Sequence, residues 1–163
     1  PGRYLEGQDD GAWYPQTGDG NVSLLVAVDF SAVADDQLEI VGRLARPNRD
    51  IYLLHVAEPD PSFVGYEAGP DEVRHDVAVE FKREHDELHG LADRLREQGH
   101  EVTALMIQGP TVKTILEQAE KLEAEVIVVG SHGRGKLFDV VVGSVSAGVI
   151  RKAKVPVLVV PTR

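Results

Sequence analysis

Apolar residues along the chain fall into two alternating periods, short continuous runs and longer stretches at helical spacing. Val22–Val28 (VSLLVAV) is a run of strand length with almost no polar interruption, the pattern of a strand covered on both faces. Asp29-Phe30-Ser31 breaks it and opens a helical stretch to about Ala45, with Leu38, Val41, Leu44 and Ala45 at helical spacing. Arg46-Pro47-Asn48 ends that helix, because a residue before proline is steered away from helical dihedrals. Ile51–Val56 (IYLLHV) predicts a second strand, and residues 57–70 a long connection rich in Pro and Gly. Asp71 to Gln98 predicts one long helix, with Val73, Val77, Phe81, Leu88, Leu91 and Leu95 on one stripe and Gly99 as its stop. A strand at His100–Ile107, a helix at Thr111–Glu123 and a strand at Val126–Val129 follow. Beyond a glycine-rich segment, Ser144–Lys152 predicts a short helix and Val155–Val160 (VPVLVV) a last strand. Strands alternating with helices imply an α/β fold, a five-stranded doubly wound parallel sheet with helices on both faces. In such sheets a ligand binds beyond the carboxyl ends of the strands, where the winding reverses.

Residues 1–21 share neither period. They carry Gly, Asp, Pro and Gln throughout, together with Tyr4, Trp13 and Tyr14, and are expected to form an arm or linker ahead of one domain at 22–163. With 163 residues, 42% of them apolar and 27% charged, the chain is of single-domain size and ordinary globular composition. Its first residue is Pro rather than Met, which fits a trimmed or processed chain. No apolar run approaches the ~20 residues that span a bilayer, and no signal-peptide pattern is present. The chain has no cysteine, so disulfides and thiolate metal sites are excluded, and a reducing, cytoplasmic setting is the expectation. A formal net charge of −10 argues against nucleic acid or an anionic membrane as a partner. It leaves a nucleotide open, because backbone N–H groups alone can cradle phosphate.

The candidate chemistry lies directly after the fourth strand. Gly130-Ser131-His132-Gly133-Arg134-Gly135-Lys136 is followed by Gly143-Ser144-Val145-Ser146 at the start of the next helix. Anion binding asks for glycines where backbone must approach phosphate oxygens, then a helix N-terminus with free N–H groups; both are here. Ser144 and Ser146 add hydroxyl donors, either of which can cap the helix. Two familiar phosphate loops fail. Gly130–Lys136 fits G-x-x-x-x-G-K, yet Leu137 stands where a P-loop needs Ser or Thr for its metal. The turn after the first strand, Asp29-Phe30-Ser31-Ala32, lacks the G-x-G-x-x-G of a dinucleotide site.

The spacing that fits is G-x-x-G, nine residues, then G-S, at Gly130, Gly133, Gly143 and Ser144. It resembles the ATP-binding signature of the universal stress protein family. Val26–Ser31, Leu53-Leu54-His55-Val56, Gly130–Gly133 and Val155–Val160 are similar to that family in the same order, over about residues 22–161. The resemblance implies that Asp29, with the backbone of Ala27 and Val28, borders an ATP molecule and that Val56 contacts its adenine. It implies that Gly130, His132 and Gly133 line the ribose and phosphate side, and that Gly143, Ser144, Val145 and Ser146 hold the phosphates. Ala27 stands where family members often carry Pro. The resemblance further implies a homodimer paired through Val155–Val160 and a role in stress response or signalling. A divalent ion, Mg²⁺, is expected on the phosphates, since ATP adds charge to an already acidic chain.

Other constellations carry less. His85 and His89 stand one turn apart as a zinc pair would, without a third ligand, and read as a solvated helix face. His55, inside an apolar strand, reads as a hydrogen-bonded core residue. No general base is evident, so hydrolysis is expected to be slow at most. A phosphotransferase or adenylyl-transferring enzyme is the alternative class, and a site tuned to another adenine nucleotide such as cyclic AMP the third.

Overall fold

A computed structural model describes residues 23–45, 50–57, 71–131 and 142–161, the side chains of 71–78 excepted. Five strands and four helices alternate: β1 (Leu24–Val28), α1 (Val33–Leu44), β2 (Asp50–Ala57), α2 (Asp71–Arg96), β3 (Glu101–Gln108), α3 (Thr111–Lys121), β4 (Val126–Gly130), α4 (Ser144–Lys152) and β5 (Val157–Val160). All strand pairs are parallel and the sheet order is β3-β2-β1-β4-β5. The chain winds from β1 outward to β3, then crosses back over β1 to place β4 and β5 on the other side. The winding therefore reverses between β1 and β4.

The alternation of side chains along each strand divides the core in two. Leu24, Val26 and Val28 of β1 face α1 and α2, where they meet Leu38, Val41, Leu88, Ala92 and Leu95. Leu25 and the half-buried Ala27 face the other way, toward Ile115 and Ala119 of α3 and Val149 of α4. A strand sandwiched in this manner has no solvent face, which is why β1 reads as a continuous apolar run. The two helical layers follow from the winding. Right-handed crossovers running outward put α1 and α2 on one face, and those running back put α3 and α4 on the other.

Several elements differ in detail from the sequence reading. Helix α2 ends at Arg96 rather than Gln98, through a turn in which Gly99 takes φ +90° and His100 donates to the Leu95 carbonyl. Only glycine enters that backbone region without steric cost. Strand β5 begins at Val157, not Val155, since Pro156 has no N–H to give a ladder and offers only its carbonyl, to the Ile127 N–H. Phe81, expected on the buried stripe of α2, is 40% exposed; the face that packs inward runs Glu84, Leu88, Ala92, Leu95. Leu44, expected on the inner face of α1, is 54% exposed, because the helix ends there and Ala45 takes the buried position. Val73 and Val77 have side chains outside the described residues, as does the whole of the 1–21 arm.

Candidate functional site at the winding reversal

The tips of β1 and β4 lie side by side: Val26 pairs with Val128, and each strand runs two residues further, to Val28 and Gly130. Beyond β1 the chain turns sharply. Asp29 Oδ1 accepts the Ser31 N–H at 3.1 Å, and Phe30 between them adopts φ +57°. This side-chain-to-backbone turn stands where a dinucleotide fold would put glycines. The Ala27 carbonyl, just before it, accepts a 2.9 Å hydrogen bond from Nε2 of Gln37, a fully buried side chain on α1. Such a bond from a buried amide fixes the depth of the strand end against the helix.

On the β4 side, the Ser131 N–H donates to the Val160 carbonyl at 2.7 Å, and the Gly143 N–H donates to the Ser131 carbonyl at 2.6 Å. The hydroxyl of Ser146, itself buried, donates to the Gly130 carbonyl. The last two bonds pin the start of α4 to the end of β4, and the first ties that end to β5. The segment between the two anchors, 132–141, lies outside the described residues, and with it His132 and Gly133.

The N-cap of α4 is Gly143, at φ −64° and ψ 161°, with no side-chain cap. Any residue adopts those dihedrals, so the backbone does not demand glycine here; what glycine supplies is the absence of a side chain. The expectation that Ser144 or Ser146 caps the helix is corrected: Ser146 spends its hydroxyl on Gly130, and Ser144 is exposed at the first helical position. The first intrahelical bond is from the Ala147 N–H to the Gly143 carbonyl, so the N–H groups of Ser144, Val145 and Ser146 have no partner within the helix. Their positive end lies at the winding reversal.

Of the residues the sequence singled out, Ala27, Val28, Asp29, Val56, Gly130, Gly143, Ser144, Val145 and Ser146 all lie at the carboxyl end of the sheet. Val28 pairs with His55, so Val56 stands one residue further along the neighbouring strand. Ala27 and Val56 belong to the sheet face that carries α4, which groups them with its N-terminus. Gln37 and Glu84 escaped the sequence reading. Each is a polar residue at an apolar-stripe position, Gln37 between Val33 and Val41 and Glu84 one turn before Leu88, and that mismatch was the signal available. Among the described residues, no three His, Asp or Glu side chains are grouped to hold a metal ion, and no helix is long and apolar enough to cross a membrane.

A family model described as the universal stress protein family matches residues 22–161. The chain belongs to the universal stress protein family. A curated member, universal stress protein MJ0577 of Methanocaldococcus jannaschii, is 30% identical over 125 residues, 76% of this chain and 74% of its own. The solved structure of MJ0577 superposes with a TM-score of 0.75 at 26% identity, covering 87% of this chain and 96% of that one. Two further solved structures share the fold at lower identity. One is a universal stress protein in complex with cAMP (TM-score 0.59, 21% identity, 88% of this chain and 98% of that one). The other is the universal stress protein of Archaeoglobus fulgidus in complex with dAMP (TM-score 0.56, 24% identity, 85% and 97%).

Proposed function

We propose that the chain binds ATP at the reversal between β1 and β4 and works as a stress-response or signalling module, with hydrolysis slow at most. Residues 22–163 form the nucleotide-binding domain in this reading. The observation that carries it is the N-terminus of α4, without a side-chain cap among the described residues, hydrogen-bonded to the β4 tip and headed by a glycine that the backbone does not require. Three N–H groups, the exposed Ser144 hydroxyl and the helix dipole suit a phosphate chain. Ala27, Val28 and Asp29 border the nucleoside, Val56 offers the adenine an apolar contact, and Gly130, His132 and Gly133 complete the ribose and phosphate side. Mg²⁺ would be held through phosphate oxygens and water, with Asp29 at most a neighbour. Relatives of this fold crystallised with dAMP and with cAMP support an adenine nucleotide as the class.

The cAMP complex also favours a second reading, a site tuned to a cyclic nucleotide. Parallel calorimetric titrations of ATP, AMP and cAMP, each with Mg²⁺ and with a chelator, separate the two. ATP is expected to bind tightest with Mg²⁺ and to weaken markedly on chelation, while AMP changes little. A preference for cAMP that ignores the metal would establish the second reading instead.

A further inference from the structure

On the α1–α2 face of the sheet, directly behind the β1 tip, three elements converge on one buried histidine. His55 of β2 is 4% exposed, and its Nδ1 lies 2.9 Å from the Val28 carbonyl oxygen. A carbonyl only accepts, so Nδ1 carries a proton and donates it. Nε2 faces Oε2 of Glu84 on α2 at 3.5 Å, and that carboxylate is itself buried. The Phe30 ring lies over the imidazole, centroids 4.3 Å apart and planes tilted by 35°. Phe30 is also the residue at φ +57°, a region that bulky L-residues rarely enter and that persists only where the surroundings impose it. His55 therefore holds both sides of the turn, Val28 through a hydrogen bond and Phe30 through ring contact, with Asp29 between them.

A buried carboxylate beside a buried imidazole is costly to desolvate, and an apolar pair would pack the same space with less penalty. Stability alone does not explain the choice. Orientation offers a reason: Nε2 and Oε2 make no hydrogen bond at 3.5 Å, yet the carboxylate stands behind the ring on the side away from Val28, where it favours the orientation that aims Nδ1 at the Val28 carbonyl. We propose that His55, oriented by Glu84, is a positioning residue that holds the Val28–Phe30 turn in the shape the nucleotide needs. The proposal rests on the nucleotide-binding reading of that turn. His55 lies on the sheet face opposite Ala27 and Val56, so it acts through Val28 and Phe30 rather than by touching the ligand.

The test uses the full chain in four variants, His55→Leu, His55→Asn, Glu84→Ala and Glu84→Gln, with two readouts. One is hydrogen exchange at the Phe30 and Ser31 amides without nucleotide, measured against the Leu53 amide as an internal standard. The other is Mg²⁺-ATP affinity. His55→Leu is expected to speed exchange at the turn while Leu53 stays protected, and to weaken ATP about tenfold, the scale of one lost buried hydrogen bond. His55→Asn, whose amide N–H replaces the Nδ1 donor, is expected to recover both. Glu84→Ala is expected to loosen the turn and Glu84→Gln to restore it. A folded His55→Leu protein with unchanged exchange and affinity, or an Asn variant no better than Leu, would overturn the proposal and leave His55 as core packing. If Leu fails to fold, the Asn and Glu84 variants decide alone. Failure of the wild-type chain to bind ATP would sink the nucleotide reading, while the exchange readout still judges whether His55 holds the turn.

Discussion

The hydroxyl of Ser146 and the amide of Gln37 show how single buried polar atoms set the position of the candidate site. Ser146 reaches the Gly130 carbonyl across sixteen residues of sequence, and Gln37 reaches the Ala27 carbonyl across ten. Each fixes a strand tip relative to a helix, and neither contact has a signature in a single sequence. The glycines and serines of the segment were readable as a candidate anion site because backbone approach to an anion restricts residue choice. That neither serine caps the helix, and that Ser146 anchors it instead, was not readable, since both hydroxyls suit either role until β4 and α4 are placed. Replacing Ser146 by Ala is expected to lower stability by about 1 kcal/mol, the usual worth of one hydrogen bond. It should also weaken ATP binding, because the α4 N-terminus loses its tie to the sheet. A chemical denaturation midpoint and an ATP titration check the two effects. Full stability with full affinity would show that the bond anchors nothing.

At the level of elements, strand and helix identity followed from periodicity, and each described element lies within a few residues of its expected place. The errors fall where periodicity carries no information. Phe81 and Leu44 continue an apolar stripe in sequence yet are exposed among the described residues. Pro156 shortens β5, and its missing N–H is visible in the sequence itself. Close packing between helices is a further property that sequence conceals. Gly148 of α4 lies so near α3 that a Cβ there would meet Cγ2 of Val112 at 2.8 Å. Val112 is β-branched and cannot swing away without moving its helix. Gly148→Ala is thus expected to destabilise the fold by about 1–3 kcal/mol despite alanine's better helix propensity. Thermal unfolding followed by circular dichroism would register this as a lower Tm; a raised Tm would mean that α3 and α4 separate freely.

At the scale of the molecule, the sheet order places β5 at one edge and β3 at the other, so both have one side unpaired among the described residues. An open edge invites pairing with a second chain. The expected homodimer uses β5, whose Val157 and Val159 are half-buried in the single chain. Lysine at both positions should convert a dimer to monomers in sedimentation equilibrium, with circular dichroism confirming the fold. Dimers that survive the change would move the interface elsewhere, the 1–21 arm being the next segment to test. The central claim is narrower than assembly: the N-terminus of α4 receives the phosphates of ATP. Gly143→Val tests it most directly, because valine adopts the observed φ and ψ and yet puts a branched side chain at the head of the helix. The measurement is a calorimetric titration of Mg²⁺-ATP into the wild-type and variant chains, with circular dichroism to establish that both are folded. Saturable binding by the wild type and none by a folded variant is the predicted result, and equal affinity in the two would contradict it.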